Sequence, residues 1–201
     1  MSADHWQKVY SSKKADQVSW YQSEPEVSLR LTKTNASFAD AIIDVGAGQS
    51  SLVDRLVQDG YSDVTVLDIS DSAVEEIRNR LDGASKFVSF VVADVSNWRP
   101  TQTFDFWHDR AVFHFLTSTS DIDAYLSVVS QAVRRGGVAV IGTFAEDGPT
   151  QCSGLDVSRY SPKNLVSLFS EYFEFEASEL EKHVTPAGAV QHFTWVTLRR
   201  K

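Results

Sequence analysis

From about Asp40 onward, short apolar runs alternate with stretches whose apolar residues recur at helical spacing. The runs cover 41–45, 64–67, 87–92, 104–108 and 138–143. Each is too short for a helix and predicts a buried strand. Between them, Leu52, Val53, Leu56 and Val57 share one helical face, and Val74, Ile77 and Leu81 share another. Gly60 and Gly83 stand where glycine ends a helix, and Ser161-Pro162 opens a later one, with serine as cap and proline in the first turn. This alternation predicts an α/β domain on a parallel sheet.

The last two apolar runs, 173–180 and 190–198, break the pattern. The loop joining them, with Thr185-Pro186-Ala187-Gly188, is too short for a crossover helix, so these strands are expected to be antiparallel. Ahead of Asp40, two helices are expected. The first carries Trp6, Val9 and Tyr10 on one face, and the second opens on a capping box, Ser23-Glu24-Pro25-Glu26. The stretch 145–160 lacks periodicity and reads as a long loop, a lid candidate at the active end of a sheet. No repeat or linker divides the chain, so 1–201 is read as one domain, with 1–39 as a helical segment ahead of a core at 40–201.

The composition is that of a globular protein, with 42% hydrophobic and 23% charged residues among 201. A net charge of -8 would be repelled by polyphosphate, so no nucleic-acid partner is expected. A single cysteine, Cys152, forms no internal disulfide and no cysteine-rich zinc site, and no metal is expected. Met1-Ser2-Ala3-Asp4-His5-Trp6 shows no basic-then-apolar leader, and no apolar run approaches the roughly 20 residues of a membrane span. The expectation is a cytoplasmic protein without a membrane partner.

The first strand runs into Asp44-Val45-Gly46-Ala47-Gly48-Gln49-Ser50-Ser51. Two glycines let the backbone turn tightly and approach a ligand closely. The third glycine of a dinucleotide fingerprint would fall at Ser51, which speaks against a nicotinamide oxidoreductase. Asp68 ends the second strand, about 20 residues on, where a carboxylate can accept from both hydroxyls of a ribose. Asp94 ends the third. In a doubly wound sheet, carboxyl ends of strands line the ligand crevice, so Asp44, Asp68 and Asp94 are expected to converge there.

On these residues the chain resembles the class I S-adenosylmethionine-dependent methyltransferases over nearly its whole length. Asp44-Val45-Gly46-Ala47-Gly48 is similar to their first motif, Asp68 to their ribose-binding acid, and Ala93-Asp94-Val95 to their adenine-contacting motif. The resemblance implies a Rossmann-like, doubly wound, seven-stranded sheet, mostly parallel with an antiparallel C-terminal hairpin and helices on both faces. It also implies that the loop of Gly46, Ala47 and Gly48 lies under the amino-acid part of the cofactor. Asp68 would hold the ribose, Ile69 would pack on the adenine, and Asp94 with Val95 would recognise its edge. His5-Trp6-Gln7-Lys8-Val9-Tyr10 followed by Trp20 is similar to a Tyr-Trp-x-x-x-Tyr…Trp pattern of methyltransferase-like proteins related to elongation-factor lysine methyltransferases. That likeness makes Trp6, Tyr10 and Trp20 cofactor-side candidates, which would cover a sulfonium with aromatic faces or simply pack the first helix.

The fourth strand leads into Asp109-Arg110-Ala111, where related lysine methyltransferases have an acidic residue, lysine and glycine. The Asn/Asp-Pro-Pro-Tyr signature of enzymes that methylate amides or base amines is missing. The implied activity is transfer of a methyl group by in-line displacement, leaving S-adenosylhomocysteine, with a small-molecule acceptor favoured over a protein lysine. A binding module without turnover is the alternative from another class. Asp109 and Arg110 are counted on the cofactor side. Asp109 and His114 are the catalytic candidates, His114 as a general base or as a residue with no chemical role. Arg110 is also a candidate to bind a carboxylate or phosphate on the acceptor, or to pair with a structural acid. Cys152 reads as an incidental loop residue.

Overall fold

The structure, a computed structural model, describes residues 2–12 and 14–201. Met1 and Lys13, both within the expected N-terminal segment, lie outside the described residues. Two helices open the chain, α1 (Ala3–Ser12) and α2 (Glu26–Asn35). Then β1 (Ile42–Val45), α3 (Leu52–Asp59), β2 (Val64–Asp68), α4 (Asp71–Leu81), β3 (Val88–Val92) and β4 (Phe104–Arg110) alternate. The helix α5 (Thr119–Ala132), the long β5 (Val133–Phe144) and a two-stranded ribbon of β6 (Gln151–Cys152) and β7 (Leu155–Asp156) follow. The chain ends in α6 (Pro162–Phe169), β8 (Phe173–Val184) and β9 (Val190–Arg200).

Seven strands form one sheet in the order β3-β2-β1-β4-β5-β9-β8. The first five run parallel, while β9 pairs antiparallel with both β5 and β8. The architecture is the Rossmann-like arrangement expected, with its reversal at the short 185–189 connection. Strand alternation feeds two cores. Ile43, Trp107 and Ile141 meet Tyr125 and Val129 of α5 and Leu165 and Phe169 of α6. Ile42, Phe106 and Val140 meet Leu29 of α2, Leu52 and Leu56 of α3, and Val74 and Ile77 of α4. The site therefore sits at the carboxyl ends of a sheet covered on both faces, the crevice position of open α/β folds.

Several local expectations hold. Gly60 ends α3 with φ 105°, and Ser161 caps α6 by accepting from the Asn164 N–H, with Pro162 in the first turn. Others need correction. The box at Ser23 and Glu26 does not form: Pro25 occupies the cap of α2, no side chain caps it, and Glu24 instead pairs with Arg55 at 2.8 Å. Gly83 does not end α4 either; the positive φ falls on Asp82, at 46°, and the chain continues into a 3-10 turn. The 145–160 stretch is not featureless. It folds back as the β6–β7 ribbon, whose turn places Ser153 and Gly154 at φ 52° and 78°.

Candidate functional site

The glycine loop after β1 is shaped by its neighbours. Gly46 adopts φ +63°, and a Cβ there would stand 1.9 Å from Val112 Cγ2. Gly48, at φ +53°, has the Tyr10 hydroxyl 2.5 Å from where its Cβ would be. Both positions require glycine twice over, by conformation and by space. The Gly48 N–H donates to Asp68 Oδ2 at 2.8 Å, and the Ser70 N–H donates to Asp68 Oδ1 at 2.8 Å. Asp68 thus ties the loop to the end of β2. Burial pushes its carboxyl up to about 6, against the lowering effect of the Ser70 and Gly48 donors.

Beside this acid lies a cavity open to solvent, about 580 Å³ with its mouth included. Its floor includes Gly46, Asp68 and Ile69, and Ala93, Asp94 and Val95 form one end. Asp94 spends Oδ1 on the Ser96 N–H and hydroxyl, at 3.0 and 2.6 Å, and its Oδ2 makes no hydrogen bond among the described residues. Trp6, Tyr10, Trp20 and Phe115 close the other end. They form one aromatic cluster: Trp6 stacks on Tyr10 with centroids 5.9 Å apart, and its ring centroid lies 5.9 Å from that of Trp20 and 5.0 Å from that of Phe115. The helix α1 that carries Trp6 and Tyr10 is held over the cavity by Gln7, whose Oε1 accepts from the Ser70 hydroxyl at 2.9 Å and the Ser72 N–H at 3.2 Å.

A second cavity of about 510 Å³, its mouth likewise included, adjoins the first and shares Trp20, Gly46 and Arg110 with it. Asp44 faces this one, together with Ala47, Gln49 and His108. Asp44 and His108 are register partners on β1 and β4. The His108 Nδ1–H donates to Asp44 Oδ1 at 2.7 Å, and its Nε2 lies 2.9 Å from the Ser28 hydroxyl of α2. Asp44 Oδ2 is buried without a partner.

Arg110 stands where the two cavities meet. Its Nη1 donates to the Trp20 carbonyl at 2.9 Å, and its guanidinium lies 4.7 Å over the Phe193 ring. Burial lowers its pKa.

Of the residues expected at the site, Trp6, Tyr10, Trp20, Gly46, Asp68, Ile69, Asp94, Val95 and Arg110 line the first cavity. Asp44 and Ala47 line the second, so the three strand-end acids do not converge on one point. Gly48 lines neither, because Tyr10 covers it.

Asp109 is a correction. Alternation along β4 sends its side chain to the opposite face from His108, into the α5 core. There Oδ2 accepts from the Tyr125 hydroxyl at 2.6 Å and Oδ1 from the Val112 N–H at 2.9 Å. Burial raises its carboxyl to about 6. It shapes the turn after β4 and lines neither of these two cavities.

His114 is a second correction. Its ring is fully buried against Phe144, centroids 4.5 Å apart, and accepts from the Phe144 N–H at 3.3 Å. Burial, and then the Arg110 charge, lowers it to about 3, which makes it a poor proton acceptor.

Cys152 and Phe115 line the first cavity without having been read as site residues. The turn signal at Ser153-Gly154 was the one mark in the sequence that 145–160 doubles back here. Burial pushes the Cys152 thiol up to about 11, so it is no nucleophile at neutral pH.

Residues 42–137 match a family described as a methyltransferase domain. The chain is 24% identical over 143 residues to the eEF1A lysine and N-terminal methyltransferase of Mus musculus, covering 68% of this chain and 20% of that protein. It thus spans about a fifth of the length of that relative. It is 31% identical over 100 residues to trans-aconitate 2-methyltransferase of Rhizobium etli, covering 49% of this chain and 36% of the other. Among solved structures, 1,6-didemethyltoxoflavin-N1-methyltransferase of Burkholderia thailandensis superposes with a TM-score of 0.73 at 20% identity, covering 96% of this chain and 81% of that one. Residues 42–137 thus carry the pattern of a methyltransferase domain, and the sheet order and glycine loop around them are those expected of the class I S-adenosylmethionine-dependent methyltransferases.

Proposed function

We propose that the chain transfers a methyl group from S-adenosylmethionine to a small-molecule acceptor. The observation that carries this reading is the pairing of unspent acceptors with a glycine cradle. A carboxylate offers about four lone-pair sites. Asp68 has filled two with backbone N–H groups, leaving two for a pair of ribose hydroxyls. Asp94 Oδ2 is available to an adenine amino group, and Ile69 and Val95 supply apolar walls for its ring. Asp44 Oδ2, buried without a donor, suits an ammonium on the amino-acid part, beside the opening that Gly46 leaves. The residues present therefore fit the cofactor.

When bound, the cofactor supplies a methyl group on a sulfonium, an electrophile activated before it meets the protein. The chain's own work is to bind, orient and exclude water. Trp6, Tyr10 and Trp20 present aromatic faces that attract a cation and keep solvent out. Neither Cys152 nor His114 is placed or tuned to take a proton near neutral pH, so the acceptor must arrive ready to react. The enclosing aromatic cluster and the buried Arg110 favour a small acceptor over a protein lysine. The Rhizobium relative is named for a small molecule and the mouse relative for a protein lysine.

Incubation of the protein and radiolabelled S-adenosylmethionine with cell extract, then separation into small-molecule and protein pools, tests the reading. Label is expected in the small-molecule pool. Label confined to protein would transfer the acceptor to the protein class, and cofactor binding without incorporation would leave a binding module.

A further inference from the structure

Among the described residues, Arg110 is a buried cation with no carboxylate hydrogen-bonded to it. Its contacts to the Trp20 carbonyl and the Phe193 ring hold the guanidinium still but use only Nη1. Nε and Nη2 are buried and unpartnered. On a guanidinium these two nitrogens carry the parallel N–H pair that grips both oxygens of a carboxylate.

Among the described residues no carboxylate forms an ion pair with it. Glu181 is the acid acting most on Arg110, but through space and not as a direct ion pair: its two oxygens accept from Gln22 Nε2 at 2.7 Å and Trp195 Nε1 at 2.8 Å. Asp44 has one oxygen committed to His108. His114 and His183 both have lowered pKa values, chiefly from burial with Arg110 adding to it, and the Cys152 thiol is raised by burial. A buried charge with unmet donors is costly to hold, and a bound anion would offset that cost. The open edge lies where the two cavities join, so a ligand there reaches both.

Resting on the methyltransferase reading above, we propose that the acceptor is a small carboxylic acid seated on the Nε–Nη2 edge of Arg110. One guanidinium balances one negative charge, which suits a carboxylate better than a phosphate monoester dianion. Trp20, Phe115 and Cys152 give the rest of such a molecule an apolar bed.

Calorimetry tests this with benzoate and its neutral isostere benzamide, each titrated into protein saturated with S-adenosylhomocysteine. Benzoate is expected to bind at least about tenfold more tightly than benzamide, the scale of a charge-assisted pair. Arg110→Gln should remove that preference while changing S-adenosylhomocysteine affinity less than about threefold, and Arg110→Lys should keep part of it. Equal binding of benzoate and benzamide by the unaltered protein overturns the proposal without recourse to a variant. So does an Arg110→Gln protein that keeps the benzoate preference but binds S-adenosylhomocysteine about tenfold or more weakly, since the guanidinium then serves the cofactor's own carboxylate. Failure of the unaltered protein to bind S-adenosylhomocysteine sinks the methyltransferase reading itself, a separate outcome.

Discussion

On the proposed ribose assignment, Asp68 is expected to link cofactor affinity to pH. Burial holds its carboxyl at about 6, even with two backbone donors at 2.8 Å favouring the charged form. The ionised group has two lone-pair sites left for ribose hydroxyls, whereas a protonated one loses an acceptor. Binding therefore selects the deprotonated state. At about pH 5 roughly one molecule in ten carries the ionised form, so affinity should be about tenfold weaker than at about pH 8. The sign is opposite for folding without ligand: a carboxyl raised from 3.8 to about 6 contributes more stability as pH falls through that window. Replacing Asp68 by alanine removes the ribose contacts and should weaken binding by about 1.5–3 kcal/mol, roughly 10- to 200-fold. It should also abolish the pH step. Calorimetric titration with S-adenosylhomocysteine from about pH 5 to 8 reads both effects. Flat affinity across that range in the unaltered protein, or the same step in the alanine variant, refutes the assignment of Asp68 to the ribose.

Two further outcomes follow from the geometry. Gly46→Ala would combine a left-handed φ of +63° with a Cβ 1.9 Å from Val112 Cγ2, so the thermal midpoint should fall. About 1–3 kcal/mol of strain is expected even if Val112 yields, and an unchanged midpoint would show that the loop is not so constrained. Tyr125→Phe deletes the hydroxyl that donates to Asp109 Oδ2 at 2.6 Å and accepts from Trp107 Nε1 at 3.0 Å. Denaturant unfolding should show a loss of about 1–3 kcal/mol, with S-adenosylhomocysteine affinity unaffected because Asp109 lines neither of the two cavities.

The sequence by itself determined the seven strands of the main sheet in chain order, the reversal at the end of the sheet, and the loop of Gly46 and Gly48. Those features are local. Period-2 and period-3.6 patterns report which face of an element is buried, and a 185–189 connection is too short for anything but a hairpin. Asp68 and Asp94 are legible for the same reason, since Asp68 ends β2 and Asp94 lies two residues past β3, both on the crevice side.

What only the tertiary structure decided is which face meets the ligand. His108, Asp109 and Arg110 are consecutive, yet Asp109 turns into the α5 core while Arg110 reaches the cavities. Alternation states that they diverge, and only the helices packed on each face state where each side leads. Asp44 facing a different cavity from Asp68, His114 sealed behind Phe144, and Cys152 brought in by the β6–β7 ribbon all depend on long-range packing. The same holds for Arg110. Its residue type is visible in the sequence, but its unmet edge depends on how Trp20, 90 positions earlier, and Phe193 hold the guanidinium.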